Sequence, residues 1–387
     1  MAKQPLVEVA LLFAKLGLIS FGGPAAHIAL METEAVKKRG WLSREYFLDL
    51  LATTNLNPGP NSTEMASHIG YVHAGWPGLF VGGASFILPA TVITLGLSWA
   101  YVRYGALPQG QALFYGINPV IIAIILSATY RLGRSAIKTI PLGGLAVASL
   151  AATLLLPVDP ALILVGAGAA GILLELGVRR LSPTRSGPGG AGLLVLAMNG
   201  GVLSSLASVS LGSAPLVQLG LFFLKVGALL FGSGMVLFAF IQRDVVTGYG
   251  WLSQKQLVDA IAVGQMTPGP VLSSATFIGY LVAGLPGAIV STLAIFLPSF
   301  AIMSVVGPWI PRLRTMPVVQ ACLKGVNAAV VAAILSIVIT LAHAAVIDVW
   351  TAGTALLALL LLVRYRVESW QLVLGGAAIG VVHYLLG

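Results

Sequence analysis

Two tripeptides hold most of the chemical information in this 387-residue chain: Pro58-Gly59-Pro60 and Pro268-Gly269-Pro270. Proline lacks a backbone donor and its ring blocks the preceding turn, so each tripeptide ends one helix and starts another. The amides of Asn61, Ser62 and Thr63, and in the second copy Val271, Leu272 and Ser273, then open a helix. Such an end presents free N–H groups and the positive pole of the helix dipole, a combination that binds oxyanions. With Asn57 and Thr267 leading into them, the two tips are expected to line a substrate site. Lys15 and Lys225 occupy equivalent places inside apolar segments. An ammonium at the bilayer centre costs roughly 2.5–3.5 kcal/mol, which either an anionic substrate or an acid such as Glu8 or Asp49 would offset. Phe21-Gly22-Gly23-Pro24 and Phe231-Gly232-Ser233-Gly234 follow, and glycine there lets a helix unwind and adds backbone donors to the same cavity.

A second set of residues suits proton transfer. Glu64 and His68 are four apart on one helix face, where carboxylate and imidazole can pass protons or simply satisfy each other, and the second half lacks both. Asp49 and Asp259 recur in both halves and are the other coupling candidates. Glu34 and Asp244 also recur, beside Arg39 and Arg243, and are expected in salt bridges at the membrane edge. Asn118 and Asn327 are expected either to face the cavity as amide donors or to bond between helices. His27, His73, His343 and His383 lack metal-ligand spacing and are expected at interfaces, so neither metal nor cofactor is anticipated.

These residues sit in a chain that is 58% hydrophobic and only 9% charged, with a mean hydropathy of +0.97. That composition excludes a soluble domain and points to an all-α polytopic membrane protein. The net charge of +9 falls in short clusters between apolar runs without an aromatic platform, which argues for loop topology and against nucleic acid. The single cysteine, Cys322, excludes an internal disulfide or a dithiol redox pair. The N-terminal apolar run is interrupted by Glu8 and Lys15 and is expected to be a retained helix.

Self-similarity at an offset of about 210 residues organises the chain. FAKLGLISFGGP at 13–24 answers FLKVGALLFGSG at 223–234, Trp41-Leu42-Ser43 answers Trp251-Leu252-Ser253, and Leu88-Pro89 answers Leu297-Pro298. The expected organisation is an N-terminal repeat at 1–180, a linker at 181–214 with an interfacial helix near 193–210, and a C-terminal repeat at 215–387. Runs at 5–31, 78–102, 112–130, 141–157 and 160–178 are long enough to span; 44–57 and 60–73 are not, and read as a re-entrant hairpin with its tip at mid-membrane. Placing the basic loops inside puts fourteen Lys and Arg in the cytoplasm and four (Lys3, Arg103, Arg243, Lys255) outside. The result is two inverted-topology repeats, about ten transmembrane helices plus two re-entrant PGP helical hairpins, with both termini outside.

FGGPAAHIALMETEAV, GWLS, NPGP and a downstream ILP, with a degenerate second copy, resemble the chromate ion transporter family in its two-repeat form, over nearly the whole chain. The resemblance implies a secondary transporter of chromate, an oxyanion similar to sulfate, exported across a bacterial or archaeal inner membrane and conferring chromate resistance. The expected partners are the oxyanion, the bilayer and a second copy in a homodimer. The second copy has Gly234 where the first has Pro24 and no counterpart of His27, so the two halves need not bind substrate alike. Oxyanion uptake and a passive anion channel are the alternatives. An intramembrane enzyme is disfavoured because the chain has no GxSxG elbow, no HExxH pair and no clustered acids with metal spacing.

Overall fold

The computed structural model describes residues 3–54, 59–156, 158–181, 215–231, 233–306, 316–365 and 367–386, and all regular structure among them is helical. The first half comprises α1 (Lys3–Ile19), α2 (Pro24–Met31) running into a π-helical segment (Glu32–Lys38), α3 (Arg44–Thr54), α4 (Asn61–Tyr104), α5 (Pro108–Ala136), α6 (Ile140–Leu155) and α7 (Pro160–Leu181). The second half repeats the order: α8 (Pro215–Leu229), α9 (Leu237–Phe240) with a π segment (Ile241–Gly248), α10 (Gln254–Met266), α11 (Ser274–Val306) after a 3-10 turn (Val271–Ser273), α12 (Pro317–Ala345), α13 (Val349–Leu360) and α14 (Ser369–Leu386). The linker helix expected at 193–210, together with Asn57, Pro58, Gly232, Arg312, Arg314 and Arg366, lies outside the described residues.

Local sequence explains the repeated starts and stops. The Trp-Leu-Ser motif places its serine as a helix cap: the Ser43 hydroxyl accepts from the Tyr46 amide and the Ser253 hydroxyl from the Gln256 amide, both at 3.2 Å. The run 5–31, expected as one span, is two helices, because Gly22 and Gly23 adopt φ of +95° and +82° and Pro24 starts α2. Both α4 and α11 fold back on themselves. Ala74-Gly75 and Ala283-Gly284 leave helical geometry in nearly identical fashion, with φ of −137° and 65° in the first and −144° and 62° in the second. Ser291 then donates to the Ala275 carbonyl at 2.7 Å across the turn. Residues 61–73 therefore lie antiparallel to the long second section of α4, as a short arm descending from the Pro-Gly-Pro tip.

Five described helices are long and apolar enough to cross a membrane (Asn61–Tyr104, Pro108–Ala136, Val271–Val305, Pro317–Ala345 and Ser369–Leu386), and four apolar helices are shorter. At the centre α5 packs on α12. The closing helices of each half pack on the other half's central helix, α6 and α7 against α12 and α13 and α14 against α5. Small residues make these crossings possible: a Cβ on Gly116 would stand 2.0 Å from the Gly376 carbonyl oxygen, and one on Gly325 2.0 Å from that of Ala167.

The halves differ in the seating of the first hairpin helix. In α10 every residue from Leu257 to Gly264 is buried, and the helix packs on α5, α12 and α14. Its counterpart α3 packs on α4 and the first π segment, with Glu45, Tyr46, Leu48 and Asp49 exposed.

Candidate substrate-binding site

The tips are held by the opposite half. The Gly59 amide donates to the Leu230 carbonyl at 2.8 Å, and the Gly269 amide donates to the Ser20 carbonyl at 2.9 Å. Those acceptors are available because α1 and α8 end at Ile19 and Leu229, leaving carbonyls without intrahelical donors. Both tip glycines have positive φ, +147° at Gly59 and +88° at Gly269. A Cβ on Gly59 would lie 3.0 Å from the Ser299 Cβ, and one on Gly269 3.0 Å from the Ala90 Cβ. Ser299 and Ala90 are interior residues of the long sections of α11 and α4, so the tips sit between the helix ends.

Around the first tip the polar groups converge. Pro60 precedes α4, and the first backbone bond runs from the Thr63 amide to the Pro60 carbonyl at 2.8 Å, with the amides of Asn61 and Ser62 ahead of it. The Ser62 hydroxyl is 2.9 Å from His27 Nδ1. His27, expected at an interface, is only 1% exposed: the break at Phe21-Gly22-Gly23-Pro24 turns α2 inward and carries its imidazole under the α4 terminus. Ser299 donates to the Glu64 carboxylate at 3.1 Å, joining the halves again. The hydroxyls of Ser20, Thr63 and Ser67 and Nε2 of His68 are buried without a hydrogen-bond partner. Buried polar groups are almost always satisfied, so this cluster suits a polar ligand. The second tip is different. Thr267 and Ser273 bond each other at 3.2 Å, and Ser274 donates to the Val271 carbonyl at 2.8 Å, so its hydroxyls are already paired.

Lys15 and Lys225 both meet carboxylates. Lys15 donates to Glu34 at 3.2 Å, and Glu34 also accepts from Lys38 at 2.9 Å and from Arg39. These hydrogen bonds, from Lys38 and Arg39 first, hold the Glu34 carboxyl at about 2 against the opposing effect of burial. Lys225 donates to Asp159 at 2.6 Å and to Asp244 at 3.3 Å, and Arg243 lies 3.2 Å from Asp159. Burial of Asp159 pushes its carboxyl up, but the bonds from Lys225 and the Ala161 amide outweigh it and the net shift is downward. The expected Glu34 and Asp244 salt bridges are thus present, with the lysines as additional partners.

Of the remaining candidates, Asp259 is buried and accepts from the Tyr101 hydroxyl at 2.7 Å and the Asn118 amide at 2.9 Å, both from the first half. Asp49 is exposed and Asn327 half-buried. Phe21 packs against Trp370, ring centroids 6.0 Å apart. His73 stacks on Trp41 at 3.8 Å and meets Glu8, and His383 stacks on Tyr115 at 4.6 Å. Among the described residues no group of three or more His, Cys, Asp or Glu could hold a metal. Sequence reasoning did not single out Ser20, Ser299 or Tyr101. The first two adjoin the Phe-Gly-Gly-Pro and Leu-Pro motifs, whereas Tyr101 stands in no motif.

The family described as Chromate transporter matches the chain twice, over residues 7–172 and 217–381. The chain belongs to the chromate transporter family. It is 36% identical over 385 residues to a chromate transport protein of Cupriavidus metallidurans, covering 98% of this chain and 94% of that protein. It is 32% identical over 361 residues to a probable chromate transport protein of Synechococcus elongatus, covering 93% and 88%. A chromate transport protein of Pseudomonas aeruginosa is 31% identical over 347 residues, covering 86% and 80%. No solved structure matches. These relatives are transport proteins, and the chain is a transporter rather than an enzyme.

Proposed function

We propose that this chain carries chromate outward across a bacterial or archaeal inner membrane as a secondary transporter, binding the oxyanion at the first Pro-Gly-Pro tip. One observation carries the reading: at the N-terminus of α4, where the two halves cross, Ser20 and Thr63 bury hydroxyls without partners, and Ser67 and His68 follow with unpartnered polar atoms farther along the same arm. Chromate has four oxygens and two negative charges, and it would take hydrogen bonds from the Ser62 amide and from the hydroxyls of Ser20 and Thr63, with Ser67 next along the arm. The second tip, with Thr267 and Ser273 bonded to each other, completes the wall and contributes less to binding. Sulfate, tetrahedral and doubly charged, fits the same donor set, so competition between the two oxyanions is part of the proposal.

Access follows charge. An open cavity of about 380 Å³ is lined by Glu8, Leu11, Leu12, Lys15, Arg39 and Trp41. Lys15 and Arg39 there, with Lys38 beside them, surround the Glu34 carboxylate, and with Glu8 also counted one positive charge remains in excess at the approach. The five long helices, the four shorter apolar ones and α1 sum to ten crossings. Ten crossings put both termini on one side, and keeping the basic loops inside makes that the outer side, with two inverted repeats at 1–180 and 215–387. Export needs no coupled proton, because a dianion leaving a negative interior gains ~2.3 kcal/mol per charge per 100 mV. Glu64 and His68, and the acids Asp49 and Asp259, are the groups through which protons would modulate it.

The test is chromate accumulation by cells expressing the protein and by inverted membrane vesicles from them. Export predicts lower accumulation in the cells and uptake into the inverted vesicles, reduced by excess sulfate. Greater accumulation in the cells would reverse the direction and make the protein an importer.

A further inference from the structure

The proposal rests on the transport reading above and starts from the difference between the halves. Asp259 on α10 is 1% exposed and held by Tyr101 and by Asn118 of α5. Asp49 and Asn327 are their repeat equivalents, yet Asp49 lies on the exposed face of α3, which packs on α4 rather than on α12. A second pair of equivalents differs in the same sense. Asp159, at the start of α7, is 2.6 Å from Lys225 of the opposite half. Its equivalent Glu368, at the start of α14, lies with its carboxylate against Gly22, while Lys15 is engaged by Glu34 of its own half. Both cross-half contacts are made at one end of the molecule and neither at the other.

We infer that the structure is one of two states related by the pseudo-two-fold symmetry of the repeats, and that α3 and α10 exchange roles during transport. In the other state α3 seats against α12 with the Asp49 carboxylate on the Asn327 amide, and Glu368 engages Lys15. The Asp259–Asn118 and Asp159–Lys225 contacts then open. Both halves carry the main elements of each latch in sequence, a carboxylate on the hairpin helix with an amide on the opposite central helix, and an acid beginning the last helix with a lysine in the opposite first helix, while the Tyr101 hydroxyl has Ile310 as its repeat equivalent. A nearly identical sequence pattern held in two different environments is what two interchangeable repeats produce when each supplies the gate at one membrane face. The tips move with these helices. Each is joined to the opposite half through Gly59 and Gly269, so seating one hairpin changes the site from both sides. The titratable and charged groups acting on Asp259 are Tyr101 from α4 and Lys255 from α10 itself, and Asn118 is the neutral donor from α5. Asn118 and Asn327 are positioning residues in this scheme.

Spin labels distinguish the two states at positions outside the latch hydrogen bonds and ion pairs. One pair is Lys255→Cys with Gln111→Cys, joining α10 to α5; the equivalent pair is Glu45→Cys with Gln320→Cys, joining α3 to α12. Each is placed in the full chain carrying Cys322→Ala, labelled to completion and reconstituted, and read by electron–electron distance measurement. The structure predicts a short distance for the first pair and a long one for the second. Asp259→Asn, which weakens one charge-assisted hydrogen-bonded latch, is expected to move the ratio of states about tenfold toward a short second pair and a long first pair. Asp49→Asn shifts it about tenfold the other way. Added chromate populates both distances in both pairs. Independent movement of the two pairs, or a second pair that stays long in Asp259→Asn, overturns the exchange. Chromate flux by the same labelled vesicles separates the outcomes: latch variants that shift both pairs in a protein without flux would uphold the exchange and remove the substrate assignment.

Discussion

Gly269→Ala isolates the contribution of the crossed tips. Gly269 has φ of +88° and donates its amide to Ser20 at 2.9 Å. An L-residue in the left-handed region costs roughly 1–2 kcal/mol. The new methyl also meets the Ala90 Cβ at 3.0 Å, tighter than ordinary van der Waals contact. The tip can relieve both by leaving the Ser20 carbonyl, so the crossed arrangement loses about 1–2 kcal/mol, a factor of about 5–30 in its population. Chromate flux at sub-saturating concentration, measured in proteoliposomes and normalised to folded protein, is expected to fall by that factor, with less effect at saturation. Gly250→Ala is the matched control: φ is +64° and nothing lies within 4 Å of its added Cβ, so it carries the same backbone strain far from the tip. It is expected to lower the melting temperature and leave flux per folded molecule unchanged. Equal flux in Gly269→Ala and the parent protein would refute the role of the crossed tips.

Other substitutions probe other parts of the account. Glu34→Gln removes the acceptor shared by Lys15, Lys38 and Arg39 and is expected to cost about 1.5–3 kcal/mol of stability. Because that carboxyl is held at about 2, its stabilisation is complete above the ordinary glutamate range and is lost only as pH falls through about 2. The gap in melting temperature between the two proteins should therefore stay constant from about pH 7 to 5, and a gap that narrows over that range would contradict the assignment. Lys225→Met should destabilise the fold more than Lys15→Met, since the Lys225 side chain is 18% exposed and meets two carboxylates whereas that of Lys15 is 53% exposed; thermal unfolding in detergent compares them. Glu64→Gln should preserve chromate binding and flatten its pH dependence, and His68→Ala should move the midpoint while flux continues. An unchanged pH profile in Glu64→Gln would transfer the coupling role to Asp49 or Asp259.

The tips were legible because the information is local. A proline, a glycine and a second proline stop a helix wherever they occur, and their duplication about 210 residues apart marked them as a pair. The break after α1 was legible for the same reason, in Gly22, Gly23 and Pro24, although 5–31 as a whole looked like one span. Long-range partners were not. That Gly59 bonds Leu230, and that α6 and α7 pack on α12, depends on how two similar halves interlock, and periodicity within one helix carries no record of its partner. The lysine partners fell between these extremes. Glu34 and Asp244 were recognised as salt-bridge residues beside Arg39 and Arg243, but the nineteen-residue separations that join them to Lys15 and Lys225 span a helix break. His27 was misplaced because an isolated histidine in an apolar run resembles an interfacial one until the chain turns inward. The unequal burial of Asp49 and Asp259 could not be read from those two positions, since both halves carry an aspartate there.

Voltage-driven chromate flux through the purified protein in proteoliposomes tests the central claim most directly. With an imposed diffusion potential, the account predicts saturable chromate movement toward the positive side, inhibited by sulfate. It also predicts that flux at low chromate falls about tenfold in Thr63→Ala, which removes a buried hydroxyl assigned to the oxyanion. Chromate movement no faster than in protein-free vesicles, or full flux in Thr63→Ala combined with Ser20→Ala, would contradict it.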